Sequence, residues 1–149
     1  MKSFRCLVAV VALAFTLPAQ AGVNDPEVLI YRVSGVIDDG NVLATSFHCT
    51  NFSGATENVR VVTRSLAGPL VTNTAGTVPH LGTAILSTHH VFIYPDTNMA
   101  TGTFAGTAAI AATSINVTCT AMQVQTNVTN AVGIALHMTR FNPIAGTEE

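Results

Sequence analysis

Apolar and polar residues alternate with a period of two along most of this chain, and that alternation restricts the fold more than any other feature of the sequence. Segment 42–52 places Phe47 and Cys49 on one face, and segment 114–124 places Cys119 on its apolar face in the same way. Successive side chains of a strand point to opposite faces of a sheet, so such segments predict strands buried on one side. No segment combines a helical period with capping residues. The sequence therefore predicts an all-β fold.

Turn residues separate the alternating segments. The string Asp-Asp-Gly-Asn at 38–41 predicts a tight turn after the first strand, and Pro69, Pro79 and Pro95 delimit the segments in the middle of the chain. Strands separated by turns, without helices between them, favour an antiparallel two-layer β-sandwich. The predicted strands occupy 28–36, 42–52, 59–66, 70–78, 82–88, 89–94, part of 100–113, 114–124 and 131–141.

Residues 1–21 have the three parts of a secretory signal peptide. Lys2 and Arg5 form a basic start, 7–17 is apolar, and the small-residue string Ala-Gln-Ala precedes the predicted cleavage site. The apolar run is shorter than the roughly 20 residues that a membrane-spanning helix needs. Cleavage after residue 21 leaves 128 residues, the size of one domain. The sequence thus predicts a secreted or periplasmic chain whose residues 22–149 form a single β-sandwich domain without a transmembrane segment.

Two cysteines remain in the predicted mature chain, because Cys6 leaves with the signal peptide. An even pair in an oxidising compartment predicts a disulfide between Cys49 and Cys119. Each lies on the apolar face of its strand, so the bond is expected to run through the core, as in immunoglobulin-like sandwiches, although the chain has no Trp to pack on it. Two buried free thiols are the alternative, and the spacing is not that of a Cys-x-x-Cys redox motif.

Three short strings, at 47–52, 119–122 and 136–143, resemble segments of small, uncharacterised exported bacterial proteins. They read Phe-His-Cys-Thr-Asn-Phe, Cys-Thr-Ala-Met and Leu-His-Met-Thr-Arg-Phe-Asn-Pro. The resemblance implies export and a single small β domain. It implies no activity and no catalytic residues.

The charge balance disfavours nucleic acid and anionic membranes as partners. After residue 21 the chain has four arginines and no lysine against eight carboxylates, a formal charge of −4. Binding to phosphate chains needs a basic footprint, which this composition does not supply. The absence of lysine from this part of the chain also excludes Schiff-base and other lysine-dependent mechanisms.

Among the residue types in this chain, histidine is the best candidate for a functional site, since imidazole is a common metal ligand and a general base. If Cys49 and Leu136 point into the core, His48 and His137 point outward and could face each other across the sheet, forming a copper or zinc site. The period of two opposes a copper site that includes Met138, which falls on the other face from His137. Histidines that simply face solvent are the alternative.

The sequence contains no nucleophile elbow, no zinc-protease motif and no glycine-rich phosphate loop, so no catalytic residue and no cofactor is predicted. The leading hypothesis is an exported, non-catalytic β-sandwich module with a binding, adhesion or structural role at the cell envelope, acting on a protein or surface ligand. An exported metal-binding protein using His48 and His137 is the second hypothesis. A small secreted hydrolase, with a Ser-His-Asp group assembled from distant strands, is the third.

Overall fold

A computed structural model describes residues 22–141 of the protein, and these residues contain strands and no helix. The predicted signal peptide and the tail at 142–149 lie outside the described residues, so cleavage after Ala21 stays a prediction. No helix in the described part of the chain has the length and apolar character needed to cross a bilayer. The ten strands are β1 (Val28–Asp38), β2 (Leu43–Asn51), β3 (Glu57–Ser65), β4 (Leu70–Val78), β5 (Thr83–Ser87), β6 (Thr97–Asn98), β7 (Phe104–Ala112), β8 (Val117–Gln125), β9 (Gly133–Ala135) and β10 (Met138–Arg140).

Strand β7 shows why an alanine-rich segment is not a helix here. It lies between β3 and β1 and pairs with both along its length, so the neighbouring strands satisfy its backbone groups. Its small side chains alternate between the core and the outer face, with Ala108 and Ile110 buried. The prediction of a strand plus a loop in 100–113 is confirmed.

All ten strands belong to one mixed sheet, whose main order is β4-β3-β7-β1-β2-β5-β6. Only β5 and β6 pair in parallel. Strands β1 and β2 pair solely at Asp38 and Ala44, next to the turn that joins them, while β2 pairs at length with β5 on one side and β8 on the other. The sheet therefore changes direction at the β1–β2 corner and curls into a half-barrel.

The predicted all-β class is confirmed, whereas the two-layer, immunoglobulin-like sandwich is not. The strands form one continuous curled sheet, because hydrogen bonding passes through the β1–β2 corner. Periodicity identifies the face of each strand that is buried, but it does not identify that strand's neighbours.

The core fills the concave side of the curled sheet, and the disulfide lies within it. Cys49 and Cys119 are bonded to each other, as predicted, and are 0% and 5% exposed. They are directly opposite residues of β2 and β8, with Cα atoms 4.1 Å apart, near the spacing of a non-hydrogen-bonded antiparallel pair. The bond therefore joins neighbouring strands of one sheet and does not join two layers.

Two predicted strands take a different form. Segment 89–94 belongs to a loop, 88–96, that covers the outer face of β2, where Val91 packs against Ala44 and Val124 in a second apolar cluster. Segment 131–141 divides into β9, which pairs with β8, and β10, which pairs with β1.

Candidate functional site

The convex face of strands β10, β1, β7 and β3 carries an exposed group of polar side chains. In β1, Tyr31 and Val33 are buried, so Arg32 and Ser34 point outward to solvent. The register places Arg32 between Thr139 of β10 and a β7 alanine, and it places Ser34 opposite Thr107 of β7. Residues distant in the sequence thus meet on one face.

A shallow groove of about 270 Å³ opens on this face, and we call it the Arg32 groove. It combines one guanidinium, one imidazole and three hydroxyls, and no carboxylate from residues 22–141 lines it. Its lining residues are Arg32, Val33, Ser34, Thr107, Ala108, His137 and Thr139.

Arg32 differs from the other arginines in its partners. Its guanidinium carbon lies 5.6 Å from the centroid of the Phe141 ring, a cation–π contact that holds the side chain over the groove. Among residues 22–141, Arg32 has no carboxylate at salt-bridge distance and no hydrogen-bond acceptor. Arg60 on the same face donates to Glu27 over 2.6 Å, and this hydrogen bond and the Glu27 charge raise the pKa of Arg60. Arg32 therefore keeps an exposed positive charge that no group in the described part of the chain neutralises.

His137 lies in the same groove and is exposed, while Leu136 and Met138 on either side of it pack against the core. Its predicted outward direction is confirmed. The permanently charged guanidinium of Arg32 lines the same groove, and like charge repels a metal cation there.

His48 lies elsewhere, beneath the 88–96 loop. Its ring packs edge-on against Tyr94, with centroids 5.0 Å apart, and its Nε2 lies 3.2 Å from the Ser46 Oγ. Burial lowers the pKa of His48, and the negative charge of Asp96 partly opposes this shift. No contact joins His48 to His137 within 22–141, and that range contains no group of three or more His, Cys, Asp or Glu placed to hold a metal. The two-histidine metal site stays a prediction.

Ser46 and His48 form the pair that most resembles a nucleophile and its base. The Ser46 hydroxyl also contacts the Ser87 hydroxyl over 2.9 Å, and both serines have no exposed surface. Because strand β2 and the 88–96 loop enclose them, a substrate carbonyl does not reach either hydroxyl in this conformation. The contact between the Ser46 and Ser87 hydroxyls joins β2 to β5 beneath the loop, which is a structural arrangement.

Two acidic side chains hold the 88–96 loop in place. The buried carboxylate of Asp96 contacts His90 Nδ1 over 2.6 Å and accepts the backbone N–H of Val91 over 3.0 Å. The buried carboxylate of Asp38 lies 3.7 Å from His89 Nδ1 and accepts the Thr101 hydroxyl. The adjacent His89 and His90 thus contact different carboxylates, and these contacts hold one loop at two points.

Sequence reasoning missed most of the Arg32 groove. Thr107 and Thr139 are ordinary strand residues, and only the register of β1 with β7 and β10 brings them to Arg32. The sequence contained one local signal for this groove: Arg32 is a charged residue between the apolar residues Tyr31 and Val33 of a predicted strand, which places it on the outward face.

Comparison with known proteins assigns no relative to the chain. No family model matches it, no curated protein matches it, and no solved structure matches it.

Proposed function

We propose that this protein is an exported, non-catalytic binding module that acts at the cell envelope and holds its ligand in the Arg32 groove. The observation that carries this proposal is the contrast between two sites. The groove is open and displays a guanidinium that has no carboxylate partner among residues 22–141, whereas the hydroxyl of Ser46, the candidate nucleophile, is fully buried. A binding site needs exposed, unsatisfied donors, and a hydrolase needs a nucleophile that the substrate can reach.

Export is supported by the disulfide, since such bonds form and persist in oxidising compartments such as the periplasm and the extracellular space. The predicted signal peptide at 1–21 points to the same compartments.

We also propose that the curled sheet works as two packed layers that meet at the β1–β2 corner. Both sides of that corner contribute to one core: Val59 and Ile110 come from β3 and β7, and Phe47 and Leu86 come from β2 and β5. Such packing would give the convex face of β10, β1 and β7 a rigid support for recognition.

The test fills the groove without changing its charge. Wild-type protein, Thr107→Trp and Thr118→Trp are sedimented with purified cell-envelope fragments, and the bound fraction is measured. Thr118 is the matched control, because it is an exposed strand threonine on β8, outside the groove. We expect the wild type and Thr118→Trp to bind and Thr107→Trp to lose binding. Equal binding by all three proteins would contradict the proposed site.

A further inference from the structure

We infer that the Arg32 groove recognises an oxyanion, a carboxylate or phosphate group, and that the chain carrying this group is an acidic polysaccharide extending toward Arg64. This inference rests on the proposed binding function and adds the chemical class of the ligand.

Arg32 is suited to be the primary anchor. A guanidinium presents its N–H groups in a planar fork that matches the two oxygens of a carboxylate or phosphate. The Phe141 ring contacts the guanidinium from one side, which limits the conformations that must be lost on binding. The N–H groups have no acceptor among the described residues, so a ligand oxyanion replaces water and does not compete with a protein carboxylate.

The other polar residues of the groove complete the recognition of an anion. Ser34, Thr107 and Thr139 each offer a hydroxyl that can donate to a ligand oxygen, and His137 offers a ring N–H. Because no carboxylate of the described residues lines the groove, no acidic group among them repels the anion there. The same hydroxyls can accept hydrogen bonds from sugar hydroxyl groups beside the charged group.

Arg64 provides a second positive charge on the same convex face. It lies opposite Thr107 in the β3–β7 register, and Thr107 lies opposite Ser34, so Arg64 is two strands away from the Ser34 position. Arg32 lies two residues before Ser34 along β1, so at about 4.8 Å per strand and about 3.3 Å per residue the Arg32 and Arg64 backbones are roughly 12 Å apart. Arg64 donates to the Gly68 carbonyl and has no carboxylate partner among residues 22–141.

This separation fits a polymer that carries one carboxylate on each sugar ring, since the two arginines can then bind carboxylates on rings that are not adjacent. Nucleic acid carries about one charge per 1.7 Å of duplex, and two separate arginines do not supply the basic footprint that such a dense polyanion requires. The spacing of Arg32 and Arg64 therefore favours an acidic polysaccharide.

The experiment uses calorimetric and NMR titration of the mature protein with four probes. These are polygalacturonate oligomers, dextran of similar length as a neutral polymer, inorganic phosphate as a free oxyanion, and single-stranded oligothymidylate. The variants are Arg32→Gln, Arg32→Lys and Arg64→Gln. Arg60→Gln is the matched control, because it removes the same charge from the same face at an arginine that Glu27 already neutralises.

We expect polygalacturonate to bind most tightly, phosphate more weakly and dextran not at all. Arg32→Gln should weaken binding of both anions by about tenfold to a hundredfold, the effect of losing hydrogen bonds to a charged group. Arg32→Lys should retain an intermediate affinity, since it keeps the charge and loses the fork. Arg64→Gln should weaken only the polymer, and Arg60→Gln should resemble the wild type.

Equal binding of dextran and polygalacturonate would overturn the inference, as would unchanged affinity in Arg32→Gln. Tighter binding of oligothymidylate than of polygalacturonate would overturn the polysaccharide assignment. If Thr107→Trp still abolishes envelope binding while Arg32→Gln does not, the proposed function stands and the oxyanion inference fails. If neither variant changes envelope binding, both fail.

Discussion

His48 of β2 packs against Tyr94 of the loop above it, and this packing makes the stability of the protein depend on pH. Burial lowers the pKa of His48, so the folded state favours neutral imidazole. The unfolded chain then binds more protons than the folded chain below an unfolded-state pKa of about 6.5. The contribution of His48 to stability is therefore intact above that pH and declines as the pH falls through it toward the lower folded-state value.

We predict that the His48 ring protons titrate below the ordinary histidine range in NMR spectra. We also predict that His48→Gln loses less stability than the wild type between pH 7 and pH 5, as measured by urea denaturation. His137→Gln is the control, because this residue is exposed and lies outside the loop. A His48 titration at or above the ordinary histidine value would show that the ring is not desolvated as the structure indicates.

Position 106 requires glycine because neighbouring atoms leave no room for a side chain, and not because a turn requires a positive φ. Gly106 is the third residue of β7 and lies opposite Ser65, where a Cβ atom would overlap the backbone carbonyl of Arg64. We predict that Gly106→Ala lowers the free energy of unfolding by about 3 kcal/mol or more, because backbone of the central strands must move. Gly76→Ala in β4 is the control, since a Cβ there meets no atom within 4 Å. Its stability should be unchanged or raised by up to about 1 kcal/mol. Equal losses in both variants, measured by denaturant titration, would contradict this account.

The orientation of individual residues could be predicted from the sequence where only strand periodicity decides it. The inward direction of Cys49 and Cys119 and the outward direction of His137 followed from alternation alone. The environment of His48 did not, because Tyr94 covers it from a loop 46 positions away. The partners of Arg32 and Arg60 are likewise set by register and not by local sequence.

At the scale of strands, the Cys49–Cys119 bond fastens β2 to β8 at a directly opposite pair. The bond closes a loop with a sequence separation of 70 residues, so its removal enlarges the unfolded ensemble. We predict that the double variant Cys49→Ala and Cys119→Ala loses about 2–5 kcal/mol of unfolding free energy, while its NMR spectrum keeps the β2–β8 contacts. A double variant as stable as the wild type in urea would show that the ladder needs no covalent support.

The elements that sequence reasoning misjudged share one physical cause. Segment 89–94 is rich in β-branched and aromatic residues, which suit strands, yet Asp96 and Val91 bind it down as a loop over β2. The closing segment divides because its backbone changes partner, from β8 at β9 to β1 at β10. In both segments the observed structure is determined by contacts with residues outside the segment, and strand propensity contains no information about those contacts.

For the whole molecule, the sequence predicted the net charge but did not predict where on the surface the charged residues lie. A formal charge of −4 after residue 21 indicated an acidic protein. The fold nevertheless places Arg32, Arg60 and Arg64 on one convex face, because β1 and β3 both flank β7 in register. In the same way, the predicted number of strands was close to the observed number. The single curled sheet was not predicted, because it depends on the pairing at the β1–β2 corner.

Export, the disulfide and the stability of the whole molecule are linked, because an exported chain enters a compartment in which the disulfide can form. If residues 1–21 direct export, the full-length chain expressed in a bacterium should be recovered from the periplasm with Gly22 as its first residue. Because that compartment is oxidising, titration of the denatured protein should find no free thiol. A version that starts at Met followed by Gly22 should remain in the reducing cytosol with two titratable thiols and unfold at lower urea concentration, and oxidation in vitro should restore the difference. Intact mass and thiol titration measure both forms. Exported protein that retains Met1 would contradict the cleavage site, and two thiols in periplasmic protein would contradict the bond between β2 and β8.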